Sequence, residues 1–125
     1  MDLTQDKADA KYLITGYTAD CVMVNNEPHY KSLIIAPNTL ISSWEVNDIS
    51  QLNEKNLAQI TRQQPEIVLI GTGQQLQLPD PKMIAYFAHH QIGLEAMNTQ
   101  AACRTFGILA AEARKVMAGI IISND

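Results

Sequence analysis

Four consecutive apolar residues, Ile67-Val68-Leu69-Ile70, run straight into Gly71-Thr72-Gly73, and no other segment constrains this chain as tightly. A strand with one wet face alternates apolar and polar side chains. A run with no polar member predicts a strand buried on both faces, as in a largely parallel sheet. Parallel strands need crossover connections, usually helical, so helices are expected on either side of the run.

The flanking sequence supplies them. Leu52 and Leu57 bracket Asn53 at the spacing of a hydrophobic staple around an N-cap, and Pro65 ends the segment, which predicts a helix from Glu54 to Arg62. Asp80 before Pro81 is an N-cap followed by proline at the first helical position. The second helix then runs to about Gln91, with Ile84, Phe87 and Ala88 as its apolar stripe, and Gly93 stops it. Leu94 to Met97 follows as a short strand, and Thr99 caps a third helix to about Lys115. Its stripe of Ala102, Phe106, Leu109, Ala113 and Val116 steps by 4, 3, 4 and 3, one face of a helix. Met117 to Ile122 closes the chain as a strand. The segment before Trp44 has a different texture: Tyr12 to Tyr17, Cys21 to Val24 and His29 to Ile35 read as strands of a β meander. Asn25-Asn26 accepts positive φ cheaply and suits a tight hairpin turn, and Pro37-Asn38 closes the third strand.

With 125 residues and 46% hydrophobic content, the chain fits one domain, 1–125, with the first ten residues as a candidate tail. Nine Lys and Arg against 13 Asp and Glu leave a net charge of −4. That balance argues against nucleic acid and against an anionic membrane surface as partners. No apolar run approaches the ~20 residues of a membrane span, and the polar start resembles neither a signal peptide nor an Arg-rich presequence. A cytoplasmic protein without membrane insertion is expected. Cys21 and Cys103 show no paired spacing of a zinc site or redox dithiol, and reduced thiols are the simplest reading.

In open α/β sheets the ligand crevice lies beyond the carboxyl ends of the parallel strands. If the strands ending at Ile70 and Met97 are parallel, Gly71, Thr72 and Gly73 share that edge with Asn98 and Thr99, with Cys103 and Arg104 close behind. A helix N-terminus there adds N–H groups and partial positive charge, the ingredients of a site for a small anion or acidic side chain. Each element also has a plain structural explanation. Gly71-Thr72-Gly73 lacks the third glycine of a dinucleotide fingerprint and the Lys of a P-loop, and two glycines also let a chain turn sharply after a buried strand. Cys103 near a helix start is open to a lowered pKa, but buried cysteines commonly act as small hydrophobes. Arg104 points about 100° away from it. Arg114 falls in register with Cys103, Gly107 and Ala110, a face of small side chains that permits close approach by a ligand or by the sheet. Glu112 lies about 200° from Arg114 and cannot share its target. His89 and His90 splay by about 100°, wrong for joint ligation, so no metal site is assigned. Trp44 reads as a core filler. No nucleophile elbow, zinc-protease helix or close carboxylate pair is present, so no catalytic residue and no cofactor is assigned.

Taken in order, Ile70-Gly71-Thr72-Gly73, Met97-Asn98-Thr99, Ala101-Ala102-Cys103-Arg104-Thr105-Phe106 and Glu112-x-Arg114 resemble a small domain-of-unknown-function family, the Mth938-like proteins of bacteria, archaea and mitochondria. That family is related to mitochondrial complex I assembly factor three and includes an adipogenesis-associated cytosolic protein. The resemblance runs from about Tyr12 to Ile122. It implies an α/β, three-layer fold: a central mixed β-sheet with packed helices plus an additional N-terminal β meander. It also implies an assembly-type role with protein partners, among them components of respiratory-complex biogenesis. Asn98 stands where the family usually has Asp, and Gly107 where it commonly has Asn. Asp to Asn keeps a capping oxygen and removes a general base, which tilts the reading from catalysis towards interaction. The alternative is a small-molecule or anion-binding protein, or an enzyme, that uses the crevice. The oligomeric state is left open.

Overall fold

The computed structural model describes residues 10–122. The tail expected over 1–10 lies outside the described residues except for Ala10. Eight strands and three helices follow one another as β1 (Ile14–Tyr17), β2 (Val22–Val24), β3 (Glu27–His29), β4 (Leu33–Ala36), β5 (Thr39–Ile41), α1 (Glu54–Thr61), β6 (Ile67–Gly71), α2 (Pro81–His89), β7 (Gly93–Met97), α3 (Thr99–Ala111) and β8 (Val116–Ile120). The central sheet has the order β5-β4-β8-β6-β7, with β8, β6 and β7 parallel and β4 antiparallel to both of its neighbours. Strands β1, β2 and β3 form a separate antiparallel sheet.

Alternation along the central strands sends two sets of side chains to opposite faces. Ile34, Val68, Ile70 and Met117 meet Leu57 and Ile60 of α1 and Met83 and Phe87 of α2. Leu33, Ile35, Leu69 and Ala118 meet Ala102, Cys103 and Phe106 of α3 together with Val22 and Val24 of the small sheet. The result is the expected three-layer α/β fold, and β6, covered on both faces, is the buried strand that its composition requires.

Several boundaries differ from the sequence reading, each for a physical reason. The stretch from His29 to Ile35 is two strands in two sheets: the chain leaves the small sheet at His29, crosses exposed Tyr30 and Lys31, and enters the central sheet at Leu33. Helix α3 ends at Ala111, four residues before Lys115. Ala113 takes φ 59°, and the amides of Ala113 and Arg114 return to the carbonyls of Ala110 and Leu109, a Schellman close. Val116 therefore starts β8, and Ala113 is exposed. Helix α2 closes the same way with Gln91 at φ 59°, so Gly93 opens β7 and stops nothing. Its buried stripe is Met83 and Phe87, while Ile84 is 50% exposed and Ala88 faces solvent. The caps of the first two helices and the first hairpin turn fall where expected. Asn53 and Asn56 form a reciprocal capping box on α1, Asp80 caps α2 ahead of Pro81, and Asn25 and Asn26 turn at φ 52° and 69° between β2 and β3.

Candidate functional site

The carboxyl ends of β6, β7 and β8 converge, and the residues singled out at that edge meet there. Thr72 donates its amide to the Met97 carbonyl at 2.8 Å, and Ile121 donates to the Gly71 carbonyl at 2.9 Å. Thr99 then ties three segments together. Its amide donates to the Gly73 carbonyl (2.8 Å), its hydroxyl donates to the Ile121 carbonyl (2.7 Å), and the same hydroxyl oxygen accepts the Gly73 amide (2.9 Å). Thr99 is only 6% exposed, so this junction is closed to water.

The glycines of this edge have separate reasons. A Cβ on Gly71 would lie 3.0 Å from the Thr99 backbone and 3.1 Å from Ala102 Cβ, so the residue lets α3 press onto β6. Gly73 has open space around its Cα but adopts φ +104°, which side chains oppose. Between them, the Thr72 hydroxyl donates to the Gln75 carbonyl (2.8 Å) and accepts the Gln77 amide (3.0 Å), which shapes the following loop. Asn98, and not Thr99, is the N-cap of α3: its side chain accepts the Ala101 amide at 2.9 Å. Thr99, one position further, turns its hydroxyl into the junction. These polar groups thus already have partners within the chain, and an anion bonding them would have to displace those bonds.

The remaining candidates do not join them. Cys103 is 2% exposed in the core beneath α3, and burial pushes its thiol up to about 12, away from the lowered value an activated nucleophile needs. Arg104 lies on the outer surface, as the helical angle predicts, and donates to the Tyr17 hydroxyl of the small sheet at 3.3 Å. Arg114 falls beyond the end of α3, so its expected register with Cys103, Gly107 and Ala110 along one helix does not exist; Gly107 is exposed while Cys103 is buried. It sits instead at the opposite, amino end of the parallel strands. A cavity of about 520 Å³ opens there, lined among others by Pro37, Pro65, Ala110, Ala113 and Val116. Trp44 is buried, its ring lying over Gly119, where a Cβ would come within 2.8 Å of it. His90 bonds the Tyr86 carbonyl through Nδ1. Among the described residues no group of three or more His, Cys, Asp or Glu is placed to hold a metal ion, and no helix is long and apolar enough to cross a membrane.

Sequence reasoning missed an apolar surface on the other side of the same edge. In the loop between β6 and α2, Leu76 is 55% and Leu78 81% exposed. Leu78 and Ile84 flank a groove of about 430 Å³ along β7. Polar-apolar alternation from Gln75 to Leu78, outside any strand, was the available signal.

A family model described as "Protein of unknown function (DUF498/DUF598)" matches residues 14–121. The chain is 29% identical to the "NADH dehydrogenase [ubiquinone] 1 alpha subcomplex assembly factor 3" of Drosophila melanogaster, over 92% of its own length and 61% of that protein's, so it spans about three-fifths of this relative. It is likewise 29% identical to the "13 kDa major membrane protein" of Francisella tularensis, over 97% of this chain and 99% of that one. Two Bordetella structures share the fold. The crystal structure from Bordetella parapertussis is 32% identical with a TM-score of 0.85, over 93% of this chain and 99% of that chain. The solution structure from Bordetella pertussis, described as a Mth938-like domain, is 27% identical with a TM-score of 0.75, over 93% and 89%.

Proposed function

From the premise that this chain belongs to the DUF498/DUF598 family, we propose that it is a non-catalytic protein-interaction protein of the assembly type, whose partners include components of respiratory-complex biogenesis. The observation that carries this reading is the sequence similarity, over 92% of the chain, to a protein named as an NADH dehydrogenase assembly factor. Two features of the edge support it. The polar groups of Gly71, Thr72, Gly73 and Thr99 are engaged by partners within the chain, and burial raises the Cys103 thiol to about 12, away from an activated nucleophile. An interaction protein needs neither group free. Its resources are surface side chains, and Arg104, exposed and anchored by one hydrogen bond to Tyr17, is a candidate contact.

The test is affinity purification of the tagged protein from gently solubilised cells, read by quantitative mass spectrometry beside an Arg104→Ala variant. Reproducible enrichment of respiratory-complex subunits or of their assembly proteins is the expected result, with a smaller yield for a folded Arg104→Ala protein. Equal yields remove Arg104 from the interface. Recovery of the folded protein alone contradicts the reading.

A further inference from the structure

Among the described residues, three of the four sheet edges carry a proline, an irregularity or a short strand. Strand β3 carries Pro28, β1 is irregular between Ile14 and Gly16, and β5 is three residues long, with its Thr39 hydroxyl bonded to Gln63 beyond α1. Proline, bulges and short length are the usual devices against unwanted strand pairing. Strand β7 has none of them. It is five residues long and, among the described residues, pairs only with β6 at the margin of the central sheet.

Its ladder shows which groups are free. The Gly93 amide donates to the Glu66 carbonyl, and the Met97 carbonyl accepts the Thr72 amide. In a parallel pair this commits residues 93, 95 and 97 to β6 and aims the amide and carbonyl of Leu94 and Ala96 outward. No described residue bonds those four groups. The side chains sort by the same alternation. Leu94 packs on the α1–α2 side, beside the groove flanked by Leu78 and Ile84, whereas the alternation turns the side chain of Glu95, an exposed residue that also borders this groove, towards the other face.

We propose that β7 is the docking edge for an extended segment of a partner protein whose side chains alternate apolar and basic. The apolar side chains fill the groove at Leu78, Ile84 and Leu94; a Lys or Arg lies against Glu95; and the free groups of Leu94 and Ala96 complete a sixth strand. Charge selects this occupant over a second copy of the chain. Antiparallel self-pairing centred on the strand sets Glu95 opposite Glu95, between two molecules that each carry −4. The proposal rests on the protein-interaction reading above and specifies its surface and partner chemistry.

The probe is a capped heptapeptide alternating valine and lysine, titrated into the ¹⁵N-labelled full chain and followed by NMR and amide exchange. Binding is expected to shift residues 93–97 and to slow exchange at Leu94 and Ala96. The valine–glutamate analogue is expected to bind at least about tenfold more weakly. Glu95→Lys should reverse that preference. Ala96→Pro should abolish binding, because its outward amide is dispensable to the fold at an edge position. If Ala96→Pro does not fold, Glu95→Lys decides. Shifts confined to other surfaces, an unchanged preference in Glu95→Lys, or concentration-dependent self-association that protects Leu94 and Ala96 would each overturn the proposal. Affinity purification of the Glu95→Lys and Ala96→Pro proteins separates the two readings. Partners retained in full yield overturn the docking edge alone, whereas no partners with the wild-type chain contradict the interaction reading whatever the peptide does.

Discussion

The carboxyl ends of the parallel strands and the outer edge of β7 border the same corner of the sheet, yet they treat their backbone polar groups in opposite ways. At the first, Thr99 is bonded to Gly73 and Ile121, and Ile121 to Gly71, so these polar groups already have partners within the chain. At the second, the two amides and two carbonyls of Leu94 and Ala96 have no partner among the described residues, beside exposed Leu78 and Ile84. Topology names where a ligand can bind; hydrogen-bond bookkeeping decides whether the place is still open.

This contrast can be broken or sharpened by substitution. The largest effect is expected within the closed region, from Gly119→Ala. Its Cβ would lie within 2.8 Å of the buried Trp44 ring, and overpacking of this kind costs about 3 kcal/mol in denaturant unfolding. Thr99→Val keeps the shape but strips the partner from the Gly73 amide and the Ile121 carbonyl, an expected loss of about 2 kcal/mol. Cys103 adds a pH dependence. With its folded value raised from 9.0 to about 12, the unfolded chain loses the thiol proton first, so its contribution is intact below pH 9 and lost as pH rises towards 12. Stability should fall by up to about 1.4 kcal/mol per pH unit above 9 from this group, and Cys103→Ala should show a correspondingly shallower alkaline slope. Ala113→Gly relieves a left-handed residue at the end of α3 and should stabilise the protein by about 1 kcal/mol. On the open side, Leu78→Ser should change thermal stability by less than about 0.5 kcal/mol, because that side chain has little contact to lose. A larger loss there would mean that the apolar rim belongs to the core.

The buried strand, the caps at Asn53 and Asp80, the Asn25-Asn26 turn and the convergence of Gly71 with Thr99 were legible because each depends on local periodicity or on topology. The split of the third strand was not, because Tyr30 and Lys31 fit a strand by composition, and only the destination of Leu33 in another sheet separates them. Helices α2 and α3 are closed by left-handed Gln91 and Ala113 just beyond their ends, residues without the glycine signature, so their closure came from return hydrogen bonds that sequence does not announce. Strand order was equally hidden. Leu94 to Met97 read correctly as a strand, but nothing in those residues says that it lies at the margin. The role of Thr99 was hidden too: its hydroxyl serves Ile121 and Gly73, while Asn98 caps the helix.

Amide hydrogen exchange on the free protein tests the contrast most directly, since it reads the closed and open backbone in one experiment. The account predicts that the Gly73 and Ile121 amides exchange only through global unfolding, while Leu94 and Ala96 exchange orders of magnitude faster than the Glu95 and Met97 amides between them and beyond. Fast exchange at Gly73, or protection of Leu94 and Ala96 equal to that of their neighbours in the isolated chain, would contradict it.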